Sequence, residues 1–208
     1  MNNNIKLYRL IWIITTIEFL GAFSYYLYAQ QTNARLPFIE KINTALGRLE
    51  DSKSIVYFLT YDTKNNARAS VKYIYDLALT LNQNGITSKI LVEDSTYVGV
   101  ESWLGDKYKE LEVVSIKEDK VEINIDDAVV VPEYYTNTLQ KLSNIKCIKV
   151  LLIQQREYIY ENLPIGSRFS DFGFDKIITT TEQSKKYLME YFPESLVFIV
   201  PPIIEDIF

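Results

Sequence analysis

Ser54–Val92 reads SIVYFLTYDTKNNARASVKYIYDLALTLNQNGITSKILV and carries one complete strand–helix–strand signature. Ser54–Tyr61 is a continuous apolar, β-branched and aromatic run, the pattern of a strand buried on both faces of a parallel sheet. A polar loop, Asp62–Arg68, follows it. Val71, Ile74, Leu77, Ala78 and Leu81 then recur at helical spacing between about Ala69 and Asn84, where Asn84-Gly85 supplies the stop. Ser88–Val92 is the next apolar run. The unit has the length of a βαβ crossover.

The alternation continues toward the C-terminus. Val113–Ile116 and Val121–Ile125 are short strand candidates. Asp127–Val131 reads as a buried strand ending at Pro132-Glu133, followed by a helix from about Tyr134 to Leu142. Cys147–Ile153 is another buried strand, ending at Gln154-Gln155. Lys176–Thr180 is a strand, Glu182–Tyr191 a helix started by Thr181, and Leu196–Val200 a last strand closed by Pro201-Pro202. This order predicts an α/β domain over residues 51–208: a Rossmann-like, doubly wound, mostly parallel sheet with helices on both faces.

Residues 1–50 form a separate N-terminal apolar helical segment on this reading. Lys6 and Arg9 precede a run from Leu10 to Tyr28 in which Glu18 is the one charge, with Trp12, Tyr25, Tyr26 and Tyr28 suited to a membrane interface. A spanning helix, a helix lying on the membrane surface, and a helix packed on protein all fit. Surface association or packing through residues 5–28 is preferred, because Lys6 and Arg9 held in the cytoplasm would put the large domain outside. The expected location is the cytoplasm, peripheral on the inner face of the cell membrane. Arg35–Glu50 reads as a second helix, with Leu36, Ile39, Ile42, Ala45, Leu46 and Leu49 on one side.

Composition closes several function classes. The chain of 208 residues contains no histidine and one cysteine, Cys147. Ser-His-Asp and Cys-His nucleophiles, and His-ligated zinc or iron, are therefore excluded, and no metal or cofactor is expected. Cys147 lies in an apolar run and reads as a small core residue. A net charge of −5 argues against nucleic acid as a partner.

Ligands of an open parallel sheet collect beyond the carboxyl ends of the strands, near the point where strand order reverses. The polar segments that follow the greasy runs are the candidate site: Asn65, Asn66 and Arg68; Glu133; Gln154 and Gln155; Thr181, Glu182 and Ser184. Asn, Gln and carboxylate groups recognise sugar hydroxyls, while Arg68 at a helix start suits an anion. Each also has an ordinary structural use, as turn former, helix cap or first-turn acid. The loop Thr60–Ala69 has no glycine, so it is neither a dinucleotide fingerprint nor a P-loop.

From Ser54 to Phe208 the chain resembles the N-terminal domain of bacterial family 4 glycosyltransferases of GT-B architecture. The similarity is carried in order by SIVYFLTYD, DLALTLNQNGITSKILVED, DDAVVVPEYY, KVLLIQQREYIYE, DKIITTTEQSKKYL and VFIVPPIIEDIF. It implies an acceptor-side domain for glycan or cell-surface polysaccharide synthesis, with the candidate residues above on its cleft face. It also implies a donor-binding half carrying the nucleotide-sugar site and catalytic groups. No such half lies in these 208 residues, because Pro201–Phe208 looks like the start of the interdomain linker. The catalytic residues are accordingly unassigned, and the isolated chain is expected to be inactive. Where the family commonly has a glycine-rich turn after the first strand, this chain has Asn65-Asn66-Ala67. The alternative is a non-catalytic scaffold of the same fold that places a partner at the membrane.

Overall fold

A computed structural model describes residues 54–93, 99–116, 121–160 and 163–202, together with Ile42, Thr44 and Leu46. Seven strands form one sheet: β1 Val56–Thr60, β2 Ser88–Val92, β3 Glu112–Ser115, β4 Ala128–Pro132, β5 Ile148–Ile153, β6 Lys176–Thr179 and β7 Leu196–Ile199. Their spatial order is β3-β2-β1-β4-β5-β6-β7 and every pairing is parallel. Strand order reverses between β1 and β4, so a Rossmann-like α/β fold is established.

Three helices are described: α1 Ala69–Gln83, α2 Leu139–Leu142 and α3 Glu182–Tyr191. α1 buries Val71, Ile74, Leu77, Ala78 and Leu81, the stripe expected from their spacing. Asn82 and Ser88 fasten its end to β2: Asn82 Oδ1 accepts from Ser88 N at 2.6 Å, and Ser88 Oγ donates to Ala78 O at 2.7 Å. α3 opens as predicted, with Thr181 Oγ1 accepting from Ser184 N at 3.1 Å.

The opposite face of the sheet presents Tyr57, Leu59, Leu91, Val129, Val131, Leu151, Ile153 and Ile177, which share one core cluster. Among the described residues, little helix covers it. Leu188 of α3, Leu139 of α2 and four loop residues, Ile159, Phe169, Phe174 and Phe192, supply most of the cover. Cys147 packs against this cluster, half-buried, and burial pushes its thiol up. This agrees with a structural role.

Two expected elements differ. Val121–Ile125 is not a strand. It belongs to the connection from edge strand β3 back to central β4, and Val121 and Ile123 alternate because they lie on the core cluster rather than in a ladder. The helix expected over Tyr134–Leu142 is a 3-10 stretch, Glu133–Thr138, with α-helical geometry only from Leu139. Of the second N-terminal helix, Ile42, Thr44 and Leu46 are helical; Ile42 and Leu46 are buried and Thr44 is exposed, as the stripe requires. The apolar run Leu10–Tyr28 and its membrane reading lie outside the described residues, as does the tail from Ile203. Among the described residues, no helix is long and apolar enough to cross a membrane.

Candidate functional site

The carboxyl ends of β1 and β4 meet at the reversal point, where the fold class places its ligands. Pro132 closes β4 and Glu133 follows, 2% exposed. Glu133 Oε1 accepts the backbone N–H of Gln155 at 2.9 Å, tying the end of β4 to the end of β5. Its Oε2 is buried and has no hydrogen-bond partner. Two neighbouring oxygens share that condition, Thr60 Oγ1 at the last position of β1 and the Tyr134 hydroxyl. The Thr60 and Tyr134 hydroxyls lie close enough to act on each other. Tyr61 stands edge-on to Tyr134 with ring centroids 5.3 Å apart, and the Tyr135 ring lies 5.1 Å from that of Tyr134. The reversal point thus gathers three tyrosine rings beside the buried oxygens of Glu133, Thr60 and Tyr134. Buried oxygens without protein partners are rare, which singles this cluster out as a candidate for polar recognition.

Burial pushes the Glu133 carboxyl above its ordinary range, against the pull of the backbone N–H groups of Glu133, Gln154 and Gln155. A raised folded-state pKa means that the folded chain holds this proton longer than the unfolded chain does. The associated stability is fully present below the ordinary value of 4.5 and is lost as pH rises through the raised value. Urea unfolding between pH 4 and 8 should therefore show wild type losing stability relative to Glu133→Gln with rising pH. A pH-independent difference between the two would contradict this. Burial likewise raises the Tyr134 phenol well above its usual range, so it stays a protonated donor.

Beside the tyrosine rings, a cavity of about 340 Å³ opens between the first turns of α1 and the ends of β5 and β6. Ser70, Lys72, Tyr73, Gln154, Gln155 and Thr180 line it. Its volume is at the small end of ligand pockets, which run from roughly 300 to 1,000 Å³. Gln154 Nε2 donates to Ser70 O at 3.1 Å and holds α1 against the end of β5. Lys72 pairs with Asp76 at 2.8 Å, and Asp76 also accepts from the Tyr108 hydroxyl. The Tyr73 hydroxyl donates to Val200 O at 2.5 Å, and burial raises its phenol.

The predicted site residues separate into groups. Glu133, Gln154 and Gln155 come together through the contacts just described. Asn65 and Asn66 are committed elsewhere: Asn65 Oδ1 accepts from Ser102 N at 3.1 Å and Ser102 Oγ at 2.9 Å, while Asn66 Nδ2 donates to Thr63 O at 3.1 Å. Arg68 is exposed at the N-cap of α1 and makes no side-chain cap bond. Thr181 and Ser184 cap α3, and Glu182 is an exposed first-turn acid.

Sequence reasoning passed over Thr60, Tyr134 and above all Glu101. The Glu101 carboxylate, 5% exposed, accepts from Thr63 N at 2.7 Å, Asn65 N at 3.1 Å, Trp103 Nε1 at 2.7 Å and the Thr63 hydroxyl. The available signal was an acid in the glycine-bounded stretch Gly99–Gly105, followed at two residues by Trp103. Its other partners, Thr63 and Asn65, lie 38 and 36 residues earlier, beyond any local pattern. Among the described residues no group of His, Cys, Asp and Glu can hold a metal ion. No family model, curated protein or solved structure matches the chain at a significant level.

Proposed function

We propose that this chain is the acceptor-binding half of a glycosyltransferase of GT-B architecture, taking a sugar or glycan at the reversal point between β1 and β4 and depending on a donor-binding domain or chain for catalysis. The observation that carries this reading is the half-used Glu133 carboxylate. One oxygen holds Gln155 in place, and the other is buried with no partner near the Thr60 and Tyr134 hydroxyls and a tyrosine wall. Carboxylate, hydroxyl and aromatic groups together suit sugar hydroxyls and sugar faces. In this reading a sugar hydroxyl donates to Glu133 Oε2, and Gln154 and Gln155 reach it from the neighbouring cavity. The loop after β1 has no glycine, so it is not a dinucleotide fingerprint.

Titrating the chain with a panel of mono- and oligosaccharides and with nucleotide sugars tests the proposal. At least one neutral saccharide should bind saturably, with Glu133→Ala weakening it about tenfold, the worth of one good hydrogen bond to a charged group. Nucleotide sugars should not bind. Micromolar binding of a nucleotide sugar would sink the acceptor reading, and silence across the saccharide panel would favour the scaffold alternative.

A further inference from the structure

The loop after β1 has the parts of an oxyanion site, and it is already full. Lys64 and Asn65 have φ of 52° and 58°, a left-handed turn that non-glycine residues seldom adopt. The backbone N–H groups of Thr63 and Asn65 converge on one carboxylate, and the Thr63 hydroxyl and the Trp103 indole N–H complete a ring of four donors around it. Converging backbone donors of this kind bind phosphate and carboxylate ligands. Here the anion is Glu101 of the same chain. It is delivered by the segment Gly99–Gly105, whose end glycines both have φ of 89°, where a side chain would be strained. Asn65, by accepting from both the Ser102 N–H and hydroxyl, clamps the segment in place.

We infer that Glu101 is a built-in occupant of an oxyanion site in the β1–α1 loop, and that it bars phosphate-bearing ligands from this corner. Rossmann-like sheets commonly receive a phosphate at the first βα turn. In this chain an incoming phosphate meets a buried negative charge with every donor taken. The consequence for substrate rests on the acceptor reading above: the ligand offered to this corner is uncharged, a neutral sugar and not a sugar phosphate. The oxyanion site itself does not depend on that reading.

Glu101→Ala empties the site and leaves four donors for a small anion. Formate and inorganic phosphate are the probes, read by thermal unfolding and by the amide resonances of Thr63 and Asn65. In Glu101→Ala, formate at ten times its Kd should raise the ratio of folded to unfolded chain about elevenfold. Both resonances should shift saturably. Wild type should respond to neither anion. A variant that folds only with formate also supports the inference. If it fails to fold under all conditions, Glu101→Ser decides, since its short side chain leaves the place of the carboxylate open. Saturable formate shifts at Thr63 and Asn65 in that variant support an oxyanion site. No anion response in the folded variants, or an equal response in wild type, overturns it. A wild-type chain that binds no saccharide would defeat the acceptor reading and leave this result standing.

Discussion

Phe169→Ala is expected to lower the unfolding free energy by about 4 kcal/mol, within the 3–5 kcal/mol typical of emptied aromatic core sites. Phe169 is 0% exposed and lies 4.7 Å from the Phe192 ring between centroids. It sits on a 3-10 turn, Phe169–Phe172, in a β5–β6 connection that contains no described α-helix. Among the described residues, one face of the sheet is therefore roofed largely by single large side chains, among them Phe169, Phe174 and Phe192. A roof of this kind has no continuous helix that can settle into the hole, so the cavity term persists. For a chain of this length the shift in Tm should be about 12 °C, readable by calorimetry or by circular dichroism. A loss below about 2 kcal/mol would show that the loops repack freely.

The second large effect is expected at the opposite end of the sheet. Asp127 is 1% exposed at the start of β4, and its carboxylate accepts from Ile55 N at 2.8 Å and from Asn124 N at 2.7 Å. Its backbone extends the clamp, because Asp127 O accepts from Ile148 N at 2.9 Å. One residue thus joins the starts of β1, β4 and β5. Asp127→Ala strips two part-buried backbone N–H groups of charged acceptors at once, at a cost of about 2 kcal/mol. Asp127→Asn keeps one acceptor oxygen and should cost about half as much. Urea unfolding of the three proteins gives the comparison. Equal stability of wild type and the Ala variant would mean that water reaches these groups.

Asp127, Glu133 and Glu101 are three buried carboxylates with three different engagements. Both oxygens of Asp127 accept hydrogen bonds, which suits a strand clamp. Glu101 is surrounded by donors, which suits a plug. Glu133 alone keeps an idle buried oxygen, which is why the proposed ligand contact is placed there. Counting acids in the sequence would rank them alike, since each is an acid near an apolar run.

The strands and the two longer helices were readable from residue order alone. Continuous runs such as VYFLT, AVVVP and IKVLLI announce burial on both faces, and α1 and α3 carry a 3.6-residue stripe or a cap within a single turn. These are local properties, decided by side chains a few residues apart. Gln154 and Gln155 were placed at the site for the same reason, since a polar pair after a buried strand must lie at its carboxyl end. Val121–Ile125 shows the limit: alternating apolar residues look the same lying across a sheet as they do paired within one. Which of the polar residues carry function was not local at all. Asn65 turned out to clamp Ser102, and Glu101 to fill the loop before α1, because the parallel sheet brings the ends of β1 and β2 side by side across some 37 residues of chain. Residue order specified the elements. The order of strands in space specified which carboxylate is fully engaged and which keeps one oxygen unpaired.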